Sequence, residues 1–383
     1  MGMNMINLRR ADDAHGVSSL ELFFDLVFVF AITQVTAFIS AEPTPMGVLQ
    51  GVLLLSLTYW AWVAYSWLGT SAAVDDRSAT AALLGSMAAM FVVAVALPQW
   101  FAGTVWAVVA VVFYLAVRGL HIVLFLLLGA STPGLRTAAA RLGVSVALAG
   151  ALLLAGALVG GNAQVVLVLL AVVIDPIGAF VGGGRGWFLS VGHFVERHGL
   201  IVIIAIGESL IALGLAASAK VPTAGVMALV VMGALLASLV YLLYFRRVAP
   251  ALEAALERDT GLSQVRMARD VYSYGHLLVI GGIVAMALWL KKSAAAIAED
   301  GLDAHLHGLA APSLAVAGVL LVGGLGLLLV RAGVRVPLRL WLGAAVVVAG
   351  GALGPWLPAW ALVVIAAAGL TLAASVPLGA DSR

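Results

Sequence analysis

The amino-acid sequence predicts an all-α polytopic membrane protein with about twelve transmembrane helices. Of its 383 residues, 63% are hydrophobic and only 10% are charged, and the mean hydropathy is +1.14. Soluble domains have about 25% charged and 45–50% apolar residues. Apolar runs of about 20 residues, enough to cross roughly 30 Å of hydrocarbon, follow one another along the whole chain. No segment remains for a large soluble domain.

The predicted helices of the first half cover about 18–40, 47–69, 77–97, 104–129, 137–158 and 164–182. Ser18 and Glu21 have the spacing of a capping box, so the first helix is expected to begin at Ser18. The last of these helices contains Asp175 followed by Pro176. A proline within a span leaves a backbone carbonyl that side chains or water must satisfy, which indicates a polar interior.

An aromatic run marks the second predicted helix and consists of Tyr59, Trp60, Trp62, Tyr65 and Trp67. Tyrosine and tryptophan concentrate where the membrane meets water, so a membrane-interface belt is predicted. An aromatic binding cage is the alternative.

The predicted helices of the second half cover about 193–214, 223–245, 271–290, 310–330, 338–354 and 358–376. The charged stretch between Arg246 and Asp270 is expected to form an interfacial helix. An internal repeat is indicated when FAITQVTAF of the first helix is laid on IAIGESLIA of the seventh, which places Gln34 on Glu208. This predicts two parallel six-helix repeats related by an axis along the membrane normal. The predicted repeats are 1–182 and 187–383.

Basic residues predict the orientation of the chain. If the N-terminus is cytoplasmic, Lys220, Lys291 and Lys292 lie outside and Arg118 lies within the membrane, while all the rest of the 20 basic residues lie on the cytoplasmic side. The positive-inside rule therefore places both termini in the cytoplasm. Since the net charge of +2 comes mostly from loop arginines, with no basic patch of interleaved aromatics, no nucleic-acid partner is expected.

Glu208 is the leading candidate for a functional residue because it lies within the apolar stretch HFVERHGLIVIIAIGESLIALG. A charged side chain at mid-bilayer costs roughly 2.5–3.5 kcal/mol on insertion scales, so it is expected to face a partner or a water-filled path. Arg118 and Asp175, counted from the ends of their helices, fall near the same depth. Arg118 is thus the predicted counter-charge. A structural salt bridge is the alternative to a site that moves protons or ions.

Glu21 and Asp25 are four residues apart and share a helix face. Two adjacent carboxylates repel unless a cation, an arginine or a shared proton neutralises one of them, which would suit proton or cation handling. Simple capping by Glu21 and pairing of Asp25 with an arginine is the alternative. Arg197 lies three helical turns before Glu208 on the same side of its helix.

Three histidines, His121, His198 and His276, are candidates for a proton relay because imidazole titrates near neutral pH. Wall residues held by hydrogen bonds are the alternative. Cysteine is absent, which excludes disulfides and cysteine nucleophiles. No phosphate loop, zinc-protease helix or nucleophile elbow occurs, so no cofactor, metal site or catalytic residue is predicted.

These residues resemble the bacterial low temperature requirement protein A family. The resemblance rests on ELFFDLVFVFAITQ, ERHGLIVIIAIGES, RDVYSYGH and WAWVAYSW with the following Asp75, Asp76 and Arg77. It implies a set of signature polar positions: Glu21, Asp25, Arg118, Glu196, Arg197, His198, Glu208, Asp270 and His276. One departure is Arg246, where an acidic residue is expected. The family name denotes a requirement for growth in the cold and identifies no biochemical activity.

A second resemblance is to lysosomal potassium channels of two six-helix repeats, whose first helices carry an arginine followed by Phe-Ser-Asp. Phe24 and Asp25 lie in a similar apolar helix, although the serine is missing. In such channels, apolar side chains of the repeated first helices line the pore. The resemblance would make Ile32 and Ile206 pore residues.

The leading hypothesis is therefore a multi-pass protein of the bacterial plasma membrane that transports a small solute or cation coupled to protons. A cation channel is one alternative. A lipid-modifying enzyme at the cytoplasmic face, using His198 with Glu196 or Asp25, is another. The expected partners are membrane lipids and a small solute, cation or proton. The sequence leaves open whether the chain forms a homo-oligomer.

Overall fold

The computed structural model describes residues 16–71, 77–181, 184–219 and 221–375, and every regular element in these ranges is a helix. The predicted all-α polytopic membrane fold is confirmed. Asp75 and Asp76 of the charged turn and Lys220 of the orientation argument lie outside the described residues.

The helices of the first half are α1 (Ser19–Ala41), α2 (Pro45–Ser71), α3 (Arg77–Ala96), α4 (Val105–Leu128), α5 (Pro133–Val159) and α6 (Gly161–Val181). Those of the second half are α7 (Val191–Ser218), α8 (Ala224–Leu243), α9 (Ala249–Arg258), α10 (Gly261–Met267), α11 (Gly275–Asp300), α12 (Ala310–Ala317), α13 (Gly324–Arg331), α14 (Leu338–Ala352) and α15 (Ala359–Ala374). In the described part of the chain, 10 helical stretches are long and apolar enough to cross a membrane. Two shorter apolar helices, α14 and α15, complete the set.

Side-chain hydrogen bonds cap the first turns of α1 and α8. Ser18 and Glu21 form the predicted capping box: the Glu21 N–H donates to Ser18 Oγ at 3.3 Å, and the Ser18 N–H donates to Glu21 Oε2 at 3.0 Å. Both groups would otherwise be unpaired at a helix start. Thr223 caps α8 by accepting the N–H of Val226 at 3.3 Å. These bonds explain why α1 and α8 begin where they do.

The charged stretch after α8 does not begin a new helix. α8 continues through a π-helical segment, Tyr244–Val248, into α9, so that one helical stretch runs over Ala224–Arg258. A second stretch, Gly261–Asp300, includes another π segment, Ala268–Tyr274. Charged residues mark where a helix leaves the hydrocarbon, and a helix continues beyond that point when its backbone bonds remain satisfied.

Contacts divide the chain into two compact units. The first comprises the described residues of 1–35, 49–197 and 260–269, and the second those of 36–48, 198–259 and 270–375. In the first unit α5 packs against α4 and α6. In the second unit α14 packs against α12 and α15, and α15 also packs against α8. The two sequence repeats, 1–182 and 187–383, stay a prediction.

Candidate functional site

Two pairs of polar side chains meet in the first unit. Glu21 and Asp25 lie four residues apart on α1, and His193 and Arg197 lie four residues apart on α7, so each pair occupies one helix face. His193 Nε2 lies 3.1 Å from Glu21 Oε1, and Arg197 Nη2 lies 3.0 Å from Asp25 Oδ1. Together with Trp62 of α2, these four residues form what we call the acid–base cluster.

Asp25 is held from two sides within this cluster. Arg197 also donates from Nη1 to Asp25 Oδ2 at 3.0 Å, so the guanidinium binds both carboxylate oxygens. The indole Nε1–H of Trp62 donates to Asp25 Oδ1 at 2.9 Å, and the Arg197 guanidinium lies 5.6 Å from the centroid of the Trp62 ring. Bidentate, charge-assisted bonds of this kind are strong and directional. Asp25 and Arg197 therefore act as a fixed ion pair.

The cluster is almost closed to solvent. The Arg197 and Asp25 side chains are 1% and 3% exposed, and those of His193 and Glu21 are 6% and 11% exposed. Arg197 is permanently charged and neutralises Asp25. Glu21 then leaves one net negative charge while His193 is neutral. Binding of one proton makes the whole cluster neutral, which a low-dielectric environment favours.

A glycine of α2 leaves room for Glu21 of α1 and His193 of α7 to meet. A Cβ at Gly69 would overlap Glu21 Oε1 and lie within 3.1 Å of His193 Cε1. At the next residue, Thr70 Oγ1 donates to the Ser190 carbonyl at 3.0 Å and accepts the Ser190 N–H at 2.8 Å. The end of α2 is thereby tied to the residue preceding α7.

The predicted interface belt is wrong for Tyr59, Trp62 and Tyr65, which are 3%, 0% and 3% exposed. Tyr65 donates to the Val117 carbonyl at 2.9 Å, and Trp62 binds Asp25. An aromatic residue buried with its polar atom paired contributes packing area as well as orientation. Trp62 of this aromatic run therefore supports the acid–base cluster directly.

Glu196 and Gln34 are two of the predicted site residues that lie outside the acid–base cluster. Glu196 is exposed and accepts the backbone N–H of Val17 at 3.0 Å, so it secures the chain just before α1. Gln34 is half-buried in α1.

Arg118 of α4 and Asp175 of α6 form a second ion pair in the first unit. Arg118 Nη2 lies 2.9 Å and 2.8 Å from the two Asp175 oxygens, and the side chains are 2% and 6% exposed. Arg118 Nε and Nη1 have no hydrogen-bond partner among the described residues. His121, one turn further along α4, packs its ring 5.7 Å from that of Tyr65 and 4.9 Å from that of Phe125. Arg118 thus has a carboxylate partner, and its predicted pairing with Glu208 stays a prediction.

Glu208 lies in the second unit and is fully buried in α7, as is the adjacent Ser209. Ser209 Oγ donates to the Ile206 carbonyl at 2.6 Å. Lys291 of α11 interacts electrostatically with Glu208. Glu208 therefore has a cation, Lys291, within its own unit. From the sequence, Lys291 was expected only as a basic residue on the outer side of the membrane.

His276 is fixed in one tautomer in the second unit. Its Nδ1 lies 3.1 Å from the Val271 carbonyl, which can only accept, and its Nε2 lies 2.7 Å from the Tyr244 hydroxyl. A neutral imidazole with hydrogen on Nδ1 satisfies both contacts. Tyr272 stacks on His276 at 5.1 Å, and the His198 ring lies 5.3 Å away.

Two π-helical segments position this histidine pair. Tyr244 begins one of them, and His276 follows the other by two residues. A π turn inserts one extra residue and shifts the helix face that follows, which is why such turns recur at functional sites. Asp270, within the second segment, pairs with Arg331 of α13.

Four partner residues were not predicted from the sequence: His193, Trp62, Tyr244 and Lys291. His193 had a usable signal, because its four-residue spacing to Arg197 matches that of Glu21 to Asp25. The other three have no such signal, since their partners are set by helix packing. No group of three or more potential metal-ligating residues occurs among the described residues.

Comparisons with known proteins identify the family of this chain. Residues 16–375 match the bacterial low temperature requirement A protein (LtrA) family. An uncharacterized protein of Rhizobium meliloti is 27% identical over 317 residues, which cover 78% of this chain and 72% of that protein. No solved structure matches. The chain belongs to the bacterial low temperature requirement A family of membrane proteins.

Proposed function

We propose that this protein is a proton-coupled transporter of a small solute or cation, located in the bacterial plasma membrane with both termini in the cytoplasm. The observation that carries the proposal is the acid–base cluster, in which a buried carboxylate and imidazole face each other beside a fixed ion pair. Ionisable groups within spans are costly and mark proton or ion pathways. The distribution of basic residues supports the orientation.

The Glu21–His193 pair would be the proton-binding element. Glu21 Oε2 accepts the Ser18 N–H and hydroxyl, each at 3.0 Å, and it also faces His193 Nε2 at 3.2 Å. Protonation of the carboxylate weakens it as an acceptor for all three contacts, while protonation of the imidazole strengthens the ion pair. The protonation state would thereby change the hydrogen bonds at the start of α1, and this change would couple proton binding to transport.

Glu208 would provide a second acidic group for the transported cation or proton. It is fully buried and belongs to α7, the same helix that carries His193 and Arg197. Lys291 is the cation that would stabilise its charged form.

Reconstituted liposomes test this function directly. The purified full chain is inserted into liposomes that contain a trapped pH dye, and gradients of Na⁺, K⁺ and a panel of amino acids are imposed in turn. At least one gradient is expected to move protons through wild-type protein. Glu21→Gln, which preserves shape but removes the ionisable group, is expected to abolish this movement. Glu257→Gln, which changes an exposed carboxylate of α9, is the matched control.

Three results would overturn the proposal. The first is that protons move under none of these gradients. The second is that Glu21→Gln transports as the control does. The third is that cations cross without any proton movement. The last result would favour the channel alternative, whose predicted pore residues Ile32 and Ile206 are buried apolar side chains, 3% and 8% exposed. Bilayer recordings would then show conductance without a proton gradient.

The lipid-modifying alternative has no specific observation in its favour. It requires His198 to act with Glu196 or Asp25, and both carboxylates already have structural partners: Val17 for Glu196, and Arg197 with Trp62 for Asp25. A lipid profile that changes at low temperature on gene deletion, together with absence of transport, would revive it.

A further inference from the structure

A cavity of about 350 Å³ lies at the start of α5 in the first unit. It is open on one side, and α5 together with the loop that follows α6 forms its wall. The lining residues are Pro133, Gly134, Thr137, Ala138, Arg141, Arg185 and Gly186. The acid–base cluster contributes none of them.

The cavity presents two arginines that have no acidic partner among the described residues. Arg141 and Arg185 are exposed, and neither has an ion pair or hydrogen bond with any residue in the described ranges. Gly186 has φ +89°, and a Cβ there would overlap the Gly134 carbonyl. Only glycine lets the loop approach α5 so closely, and this approach brings Arg185 to the same cavity as Arg141. Two guanidinium groups at one opening are suited to a phosphate.

An apolar surface continues from the cavity along the same helix face. Thr137, Arg141, Val144 and Leu148 follow at helical spacing, and Val144 and Leu148 are 61% and 55% exposed. A free anion would use only the arginines. A molecule with a charged head and hydrocarbon tails would use both parts, and a membrane-spanning chain is always surrounded by such molecules.

We propose that this cavity binds the phosphate headgroup of an anionic glycerophospholipid, with its acyl chains along Val144 and Leu148. Arg141 and Arg185 bind the phosphate oxygens, and the first turn of α5 adds its partial positive charge. A zwitterionic lipid binds less well because its ammonium group is repelled by the same two arginines. This inference does not depend on the proposed transport.

Lipid retention by the purified full chain tests the site. The protein in detergent is mixed with equal amounts of phosphatidylglycerol and phosphatidylcholine of the same acyl composition, and retained lipids are counted by native mass spectrometry. Wild-type protein is expected to retain phosphatidylglycerol preferentially. The double variant Arg141→Gln/Arg185→Gln is expected to lower this retention roughly 30-fold, since each basic residue near a membrane surface contributes about a factor of five.

Arg136→Gln is the matched control, because Arg136 is an exposed arginine in the same first turns of α5 but does not line the cavity. It should retain lipid as wild type does. Inorganic phosphate and glycerol 3-phosphate should not displace the lipid at comparable concentration, since they lack the acyl chains. Equal retention by the double variant and the control would overturn the proposal. Displacement by inorganic phosphate would also overturn it, because the cavity would then bind a free anion.

Discussion

His193 on α7 places its Nε2 atom 3.1 Å from Glu21 on α1, although 172 residues separate them in sequence. The contact is buried, and the adjacent carboxylate of Asp25 is already matched by Arg197. Within the acid–base cluster, the Glu21–His193 pair can therefore gain or lose one proton while the Asp25–Arg197 ion pair stays intact.

His193→Gln is expected to flatten the dependence of proton-coupled transport on pH between about pH 5 and 8, since glutamine keeps a polar side chain beside Glu21 but cannot bind a proton. Transport rates in liposomes across this pH range give the measurement. His307→Gln, a change in a polar loop, provides the control. A pH profile that still follows wild type would show that His193 is only a structural partner of Glu21.

Asp25→Asn should destabilise the protein by about 3–5 kcal/mol, because it leaves the Arg197 guanidinium buried without its charged partner. The double variant Asp25→Leu/Arg197→Met removes both charges and is expected to recover much of this loss. Thermal unfolding in detergent compares the variants. If the single variant were as stable as wild type, the ion pair would not be needed for packing.

Gly69→Ala is expected to displace Glu21 from His193, since the added Cβ would occupy the space of the carboxylate and lie beside the imidazole. Proton-coupled transport should fall while the helical content measured by circular dichroism stays unchanged. The control is Gly85→Ala on α3, where a Cβ meets nothing within 4 Å. Equal transport by both variants would contradict the close approach of α2 to the cluster.

Tyr244→Phe should cost about 1–3 kcal/mol of stability, because His276 Nε2 then remains buried without its hydrogen-bond donor. Tyr241→Phe, three residues earlier on α8 and 45% exposed, is the control and should be close to neutral. Thermal unfolding of the two variants measures the difference. Equal thermal stability of the two variants would mean that the Tyr244 hydroxyl does not stabilise the π-helical region.

Glu208→Gln is expected to reduce proton-coupled transport to background without preventing folding, since glutamine keeps the shape but cannot ionise. Liposome flux measures the rate, and thermal unfolding confirms that the variant is folded. Glu257→Gln is again the control. An unchanged flux would remove Glu208 from the transport site, whereas the Glu21 experiment would remain a separate test of the cluster.

Runs of apolar residues were enough to predict the helical membrane fold, because hydrocarbon demands about 20 apolar residues per crossing and internal satisfaction of every backbone group. The same cost of charge in hydrocarbon identified Asp25, Arg118, Asp175 and Glu208 as unusual. The capping box at Ser18 and Glu21 was equally readable, since it depends on neighbours three residues apart.

Partners were decided by packing between helices that are distant in sequence. Arg197 could have met any carboxylate near its depth, and the approach of α1 to α7 selects Asp25. The sequence predicts Trp62 in a membrane-interface belt, whereas the packing of α2 on α1 directs its indole N–H to Asp25. Helix length and polarity depend on local composition, whereas hydrogen bonds require atoms to approach within about 3 Å, a distance that only the assembled bundle sets.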